Sequence, residues 1–258
     1  MLPALVVEAV ATFALCLVGG GAIMTDAMLG ESGFGLLGIA LAHGIVLSIG
    51  VSWAMNISGG HVNPAVTIGM LAVGRIPIGR AAGYIAAQLL GGIAAGAVLS
   101  VVLFVNAEAA DRADVVTKTW NGTPYYDVMK LGDTPGAMPA TAVSERGPYA
   151  MRAAQRALII EAVITFLLMF AIFGTAVDPR APKVGGFGIG LMVGVNILLA
   201  GPLTGAAMNP ARVLGTGLFI ASPEFWSQHW VYWVGPTLGA IVAAFLYQFV
   251  VLEKKPRA

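Results

Sequence analysis

Ser58-Gly59-Gly60-His61-Val62-Asn63-Pro64-Ala65 has a counterpart later in the chain, Thr204-Gly205-Ala206-Ala207-Met208-Asn209-Pro210-Ala211. Each stretch is a small-residue loop that runs into Asn-Pro-Ala, and each triplet opens a short apolar segment, 64–73 and 210–220. Proline suits the first helical position, where its missing N–H costs nothing and its φ is already set. The asparagine before it suits the cap. Neither segment reaches the ~20 residues that a membrane crossing takes. Gly- and Pro-bearing backbone is tolerated at membrane depth only where protein covers it or a water-filled path adjoins it. Two such breaks, one in each half, predict two half-helices meeting at a central pore.

The surroundings of the triplets are those of a membrane protein. The chain has 258 residues, 58% of them hydrophobic and 10% charged, with a mean hydropathy of +0.84. Charged residues in soluble domains run near ~25%. A net charge of +1 gives no reason to expect nucleic acid as a partner. The single cysteine, Cys16, excludes an internal disulfide and a cysteine-built metal site, and reads as a small core residue. No other metal-ligand cluster and no cofactor motif stands out.

Six stretches are long and apolar enough to span: 3–25, 35–56, 81–105, 153–177, 184–203 and 229–252. The first lacks a basic leader and holds Glu8, so it reads as a retained helix rather than a signal peptide. The two halves resemble each other, Glu8-Ala9-Val10 with Thr12-Phe13 recurring as Glu161-Ala162-Val163 with Thr165-Phe166. Three spans per half is an odd number, so the second half enters inverted and the half-helices approach from opposite faces. The expected fold is all-α: one transmembrane domain, 1–258, built from inverted repeats near 1–105 and 150–252 and joined by an outer loop, 106–149.

Arg75, Arg80, Arg180, Lys183, Lys254, Lys255 and Arg257 fall on one side if both termini are cytoplasmic, while the first outer loop carries Asp26 and Glu31 and no basic residue. Arg152 and Arg156 stand against this orientation. The expected setting is the plasma (inner) membrane. The loop 106–149 is polar, rich in Gly and Pro, and holds Trp120, Tyr125 and Tyr126. It reads as a surface excursion or as a lid, and Asn121-Gly122-Thr123 matches a glycosylation acceptor.

Two helix N-termini facing one point carry about half a positive charge each. A cation or migrating proton meets a barrier there, whereas a water can turn its oxygen toward the Asn63 and Asn209 amides. In the loops, Gly59, Gly60, His61, Gly205, Ala206 and Ala207 can present backbone carbonyls to a narrow lumen. His61 lies in the loop itself and reads as a packed structural histidine rather than a gate. Glu8 and Glu161 are intramembrane carboxylates, functional suspects by default. They read either as a proton relay or as braces accepting hydrogen bonds from the loops, and their matched placement favours braces.

These residues, Ser58 to Thr67, Gly201 to Arg212 and the paired Glu-Ala-Val segments, resemble the major intrinsic protein family of aquaporins and glycerol facilitators over nearly the whole chain. The resemblance implies six tilted helices, two re-entrant half-helices, and a pore through each protomer of a homotetramer in the lipid bilayer. It also places the family's selectivity filter on His43, Ile197, Ala206 and Arg212. That set is similar to vacuolar and ammonia-permeable members. Strict water channels commonly carry a second histidine at the Ile197 position. Glycerol facilitators use aromatic residues there and an Asp after the arginine, where this chain has Val213, although Gly201-Pro202-Leu203-Thr204-Gly205 is facilitator-like.

The expectation is a passive channel, not an enzyme, for water and small neutral solutes such as ammonia or hydrogen peroxide. A glycerol or small-polyol facilitator is the alternative. A coupled secondary transporter shares inverted repeats and broken helices, but would need a proton relay beyond the two glutamates.

Overall fold

The computed structural model describes residues 1–104, 119–120, 123–124, 153–219, 226 and 229–252. Among them, six helices are long and apolar enough to cross a membrane. They are α1 (Leu2–Leu29), α2 (Gly35–Ala54), α4 (Ile78–Leu99), α5 (Ala153–Ile172), α6 (Phe187–Thr204) and α8 (Val231–Leu246). Between them lie two short helices, α3 (Pro64–Ala72) and α7 (Pro210–Gly217). A two-residue antiparallel pairing of Thr119–Trp120 with Thr123–Pro124 is the one strand pairing among the described residues. The expectations attached to Asn121, Tyr125, Tyr126 and the rest of 106–149 fall outside them.

Several boundaries differ from the sequence reading, and two of the shifts have a visible cause. Helix α1 runs past the expected end at 25 to Leu29, because the Asp26 carboxylate accepts the Gly35 N–H at 2.6 Å and so stays buried at the turn into α2. Helix α4 starts at Ile78 rather than 81, directly after Pro77, which holds extended backbone and stops any earlier start. Helices α4, α5 and α8 each finish in a wider π turn, at Ser100–Phe104, Phe173–Val177 and Tyr247–Val251.

The long helices are apolar all round, so two different environments share them. On α2, Leu41, Ile45 and Ile49 face outward, while Ala40, His43, Leu47 and Val51 face the centre. Helix α6 divides in the same way between Leu191, Val195 and Leu199 and the inward Ile189, Val193 and Ile197.

Contacts made by α1–α4 recur among α5–α8. Helix α1 packs on α4 and α2, α5 packs on α8 and α6, and α2 meets α6 across the middle. The half-helices cross over: α3 lies mainly on α8, and α7 mainly on α4. Glycine permits that closeness. A Cβ on Gly92 or Gly96 of α4 would run into the Ala211 or Gly215 carbonyl of α7, and one on Gly239 of α8 would strike the Ala162 carbonyl of α5. Small residues that let backbones touch are a membrane solution, because burying apolar surface drives little association between helices in lipid.

At the end where α5 and α8 finish, Arg180 donates from Nε and Nη2 to the Asp178 carboxylate, and Tyr247 donates its hydroxyl to Asp178 Oδ2 at 3.1 Å. Arg180 holds the Asp178 carboxyl well below the usual carboxylate range. Nearby, Arg75 donates to Gln248 Oε1 at 2.6 Å and lies over the Phe173 ring. The turn after α3 and the last turns of α5 and α8 are thus fastened together.

Candidate functional site

Asn63 and Asn209 cap α3 and α7. Each side-chain oxygen accepts a backbone N–H of its own first turn, Ala65 at 2.9 Å and Ala211 at 3.0 Å. Pro64 and Pro210 occupy the first helical positions. Each asparagine then uses its amide nitrogen across the molecule. Asn63 Nδ2 donates to the Met208 carbonyl at 2.7 Å, and Asn209 Nδ2 donates to the Val62 carbonyl at 2.9 Å. An amide carries two N–H donors, so each asparagine keeps one beyond this reciprocal cross-bond. Pro64, Ala65, Pro210 and Ala211 are buried where the two helix starts meet.

The carbonyls that accept those bonds belong to strained residues. Val62 has φ +54° and Met208 φ +52°, and Ala206 has φ +46°. A non-glycine residue held in that region costs about 1–3 kcal/mol, and a β-branched valine is an unusual tenant. The glutamates oppose the strain. Glu8 accepts from the N–H groups of His61 (2.8 Å) and Val62 (2.6 Å), from the Ser58 hydroxyl (2.6 Å) and from the Gln88 amide (2.7 Å). Glu161 accepts from the N–H groups of Ala207 (2.9 Å) and Met208 (2.8 Å) and from the Thr204 hydroxyl (2.7 Å). Both carboxylates are fully buried. Tyr84 and Tyr232 complete the symmetry by donating to the carbonyls of Ser58 and Thr204 at 2.8 and 3.0 Å.

These loops border a narrow cavity. Polar groups gather along part of its wall: His43, His61, Asn63, Asn209 and Arg212. Leu47, Val51, Leu168, Ile172, Val193 and Ile197 are among the apolar residues that line it too. Of the loop residues singled out from sequence, Gly60, His61, Ala206 and Ala207 line this cavity. Gly59 and Gly205 are not in its wall. Gly59 is exposed, and Gly205 caps α6 with φ +77° and turns its carbonyl to Arg212 Nη1 at 3.4 Å. His61 is partly buried, bonded through Nδ1 to Thr67 Oγ1 at 3.1 Å and set edge-on to Tyr84.

His43, Ile197, Ala206 and Arg212 all lie in the cavity wall. The state of His43 follows from its neighbours. Its Nδ1 lies 2.8 Å from the Ile39 carbonyl, which can only accept, so Nδ1 carries the hydrogen. Its Nε2 lies 3.3 Å from Arg212 Nε and 3.1 Å from Arg212 Nη2, which can only donate. His43 is therefore neutral here and acts as an acceptor that fixes the guanidinium. Sequence left that charge open. With Nη1 on Gly205, three of the five guanidinium N–H groups are engaged by these bonds.

Sequence reasoning missed Gln88, Thr67, Asn196, Tyr84 and the carbonyls of Val62 and Met208. The polar residues sit singly in apolar helices, a pattern that could have flagged them; the carbonyls carry no sequence signal. Among the described residues, no group of three or more His, Cys, Asp or Glu side chains could hold a metal ion.

The family model described as "Major intrinsic protein" matches residues 1–247. Aquaporin TIP4-4 of Zea mays is 39% identical over 251 residues, covering 95% of this chain and 84% of that protein. Aquaporin TIP4-1 of Arabidopsis thaliana is 36% identical over 255 residues, covering 97% and 87%. The crystal structure of the aquaglyceroporin from Plasmodium falciparum superposes with a TM-score of 0.72 at 23% identity, covering 97% of this chain and 96% of that one, a likeness of fold. With its six apolar spans, the chain belongs to the major intrinsic protein family and is a multi-pass integral membrane channel protein, not an enzyme.

Proposed function

We propose that this chain is a passive channel for water and for small neutral solutes such as ammonia or hydrogen peroxide, and that it excludes protons and ions. One observation carries the reading: two half-helix N-termini, cross-bonded through Asn63 and Asn209, border a single cavity and each keep one amide N–H. Paired positive helix ends repel a cation. They also orient a water by its oxygen, which interrupts a chain of proton transfers. Arg212 adds a fixed positive charge beside His43.

The proposed architecture is one channel domain of inverted repeats, about 1–105 and 150–252, joined by the outer loop 106–149. The matching brace bonds of Glu8 and Glu161 support it. We further propose a homotetramer in the plasma (inner) membrane with both termini cytoplasmic. The orientation rests on Arg75, Arg80, Arg180 and Lys183 sharing one side.

Solute choice rests on the four filter residues. A polar His43–Arg212 side faces an apolar Ile197–Ala206 side. Ammonia is close to water in size and needs fewer hydrogen bonds replaced. Glycerol is bulkier and finds no aromatic wedge among the four. Vesicles holding the purified protein test this with water, ammonium and glycerol gradients. Ammonia flux above the lipid background, weak glycerol flux, and an Ile197→His variant that loses more ammonia than water permeability are expected. Strong glycerol flux with ammonia at background would favour a polyol facilitator instead.

A further inference from the structure

Asn196 lies on α6 directly before Ile197, is 1% exposed, and is not in the cavity wall. Its amide nitrogen makes two bonds. One goes to the Ile164 carbonyl on α5 at 2.8 Å, and the other to the Met208 thioether sulfur at 3.2 Å. Met208 is in the wall, next to Asn209. Its main chain is pinned by Glu161 at the N–H and by Asn63 at the carbonyl, but its side chain has three rotatable bonds and adapts readily to the space around it.

The first half solves the same problem differently. Val62 stands where Met208 stands, and a β-branched side chain is stiff at χ1 without a tether. Gly50 stands as far before Asn63 as Asn196 stands before Asn209. There α2 lies against Ala11 of α1 and the glycine supplies no polar side chain: a Cβ on Gly50 would sit in ordinary contact with the Ala11 Cβ at 3.5 Å. One half thus has a stiff residue at the meeting point, and the other has a flexible residue with a tether.

We propose that Asn196 is a positioning residue for permeation, holding the Met208 side chain against the wall and so setting the bore beside the Asn63–Asn209 pair. The proposal rests on the channel reading above. A sulfur is a weak acceptor, but the amide is oriented by its stronger bond to Ile164, so the tether adds direction as well as energy. Without it, the Met208 side chain is free to leave that position for the cavity that it lines.

The test is a double-mutant comparison in proteoliposomes, with water permeability normalised to the amount of reconstituted protein. Asn196→Leu keeps the branching at Cγ, is somewhat larger, and removes the tether. If two of three χ1 wells obstruct the lumen, water permeability falls about threefold. In a Met208→Ala background no long side chain is left to swing, and Asn196→Leu is expected to change nothing further. Asn196→Ser, too short to reach the sulfur, serves the same comparison if the leucine variant accumulates poorly. An equal loss in both backgrounds would assign Asn196 to general packing and overturn the proposal, as would no loss in either. Wild-type permeability at the lipid background is a separate result, and would sink the channel reading itself.

Discussion

Replacing Glu161 with alanine removes three bonds at once, those from Thr204, Ala207 and Met208. Two of the donors are buried backbone N–H groups, and each costs about 1–3 kcal/mol when left without a partner. The strain at Ala206 and Met208, held at φ +46° and +52°, is then no longer opposed. Removing one member of a buried charged network typically costs about 3–5 kcal/mol, and that is the loss expected for Glu161→Ala. Glu161→Gln keeps one acceptor oxygen and sets an NH₂ group against one of the two backbone N–H groups. Whichever way the amide turns, one of those bonds is lost, so about 1–3 kcal/mol is expected. Thermal unfolding in detergent, followed by tryptophan fluorescence, should rank wild type above Gln above Ala. Glu8, with four donors, should give the same order. Unchanged stability together with a flux that becomes independent of an imposed pH gradient would refute the brace, because the carboxylates would then be carrying protons.

Arg212→Val removes a unit charge from the cavity wall. At ~4 Å and an effective dielectric near ~20, the barrier to a passing cation falls by about 4 kcal/mol, so vesicle conductance and uptake of larger solutes should both rise. Unaltered solute ranking and ion leak would show that Arg212 is not at the constriction. Gly215→Leu places a side chain against the α4 backbone at Gly92, and should abolish accumulation of folded protein rather than alter selectivity; a folded variant would contradict the close α4–α7 packing. Asp178 has its folded pKa depressed by Arg180. Its stabilisation is therefore present above the unfolded carboxylate value of about 3.9 and lost as pH falls further. The stability difference between wild type and Asp178→Asn should stay flat from pH 8 to about pH 5 and shrink only below about pH 4. A difference that collapses near pH 6 would contradict the assigned ion pair.

The membrane spans and the two half-helices were legible because each has a dedicated sequence signal: length of apolar run for the former, a Pro at the first turn after a capping Asn for the latter. The filter positions His43, Ile197, Ala206 and Arg212 came from resemblance, and neither their spacing nor their types alone would have singled them out. The loop geometry was illegible for a physical reason. Nothing in the identity of Val62 or Met208 announces φ > 0, since both residues disfavour it; Glu8 and Glu161, far away in sequence, impose it. The neutral state of His43 was hidden likewise, being fixed by the Ile39 carbonyl on one nitrogen and by Arg212 on the other. The ends of α1 and α4 slipped because hydropathy penalises Asp26 and Arg80, whereas the backbone bond to Asp26 and the stop at Pro77 decide where those helices run.

The central claim is that two helix starts facing one cavity pass water and stop protons. It is tested most directly by recording osmotic water flux and internal pH together, by stopped flow, in proteoliposomes carrying a pH-sensitive dye. Water permeability should rise in proportion to the protein added, with a low activation energy, while the rate of pH equilibration stays at that of empty vesicles. Proton flux that climbs in step with water flux would contradict the account.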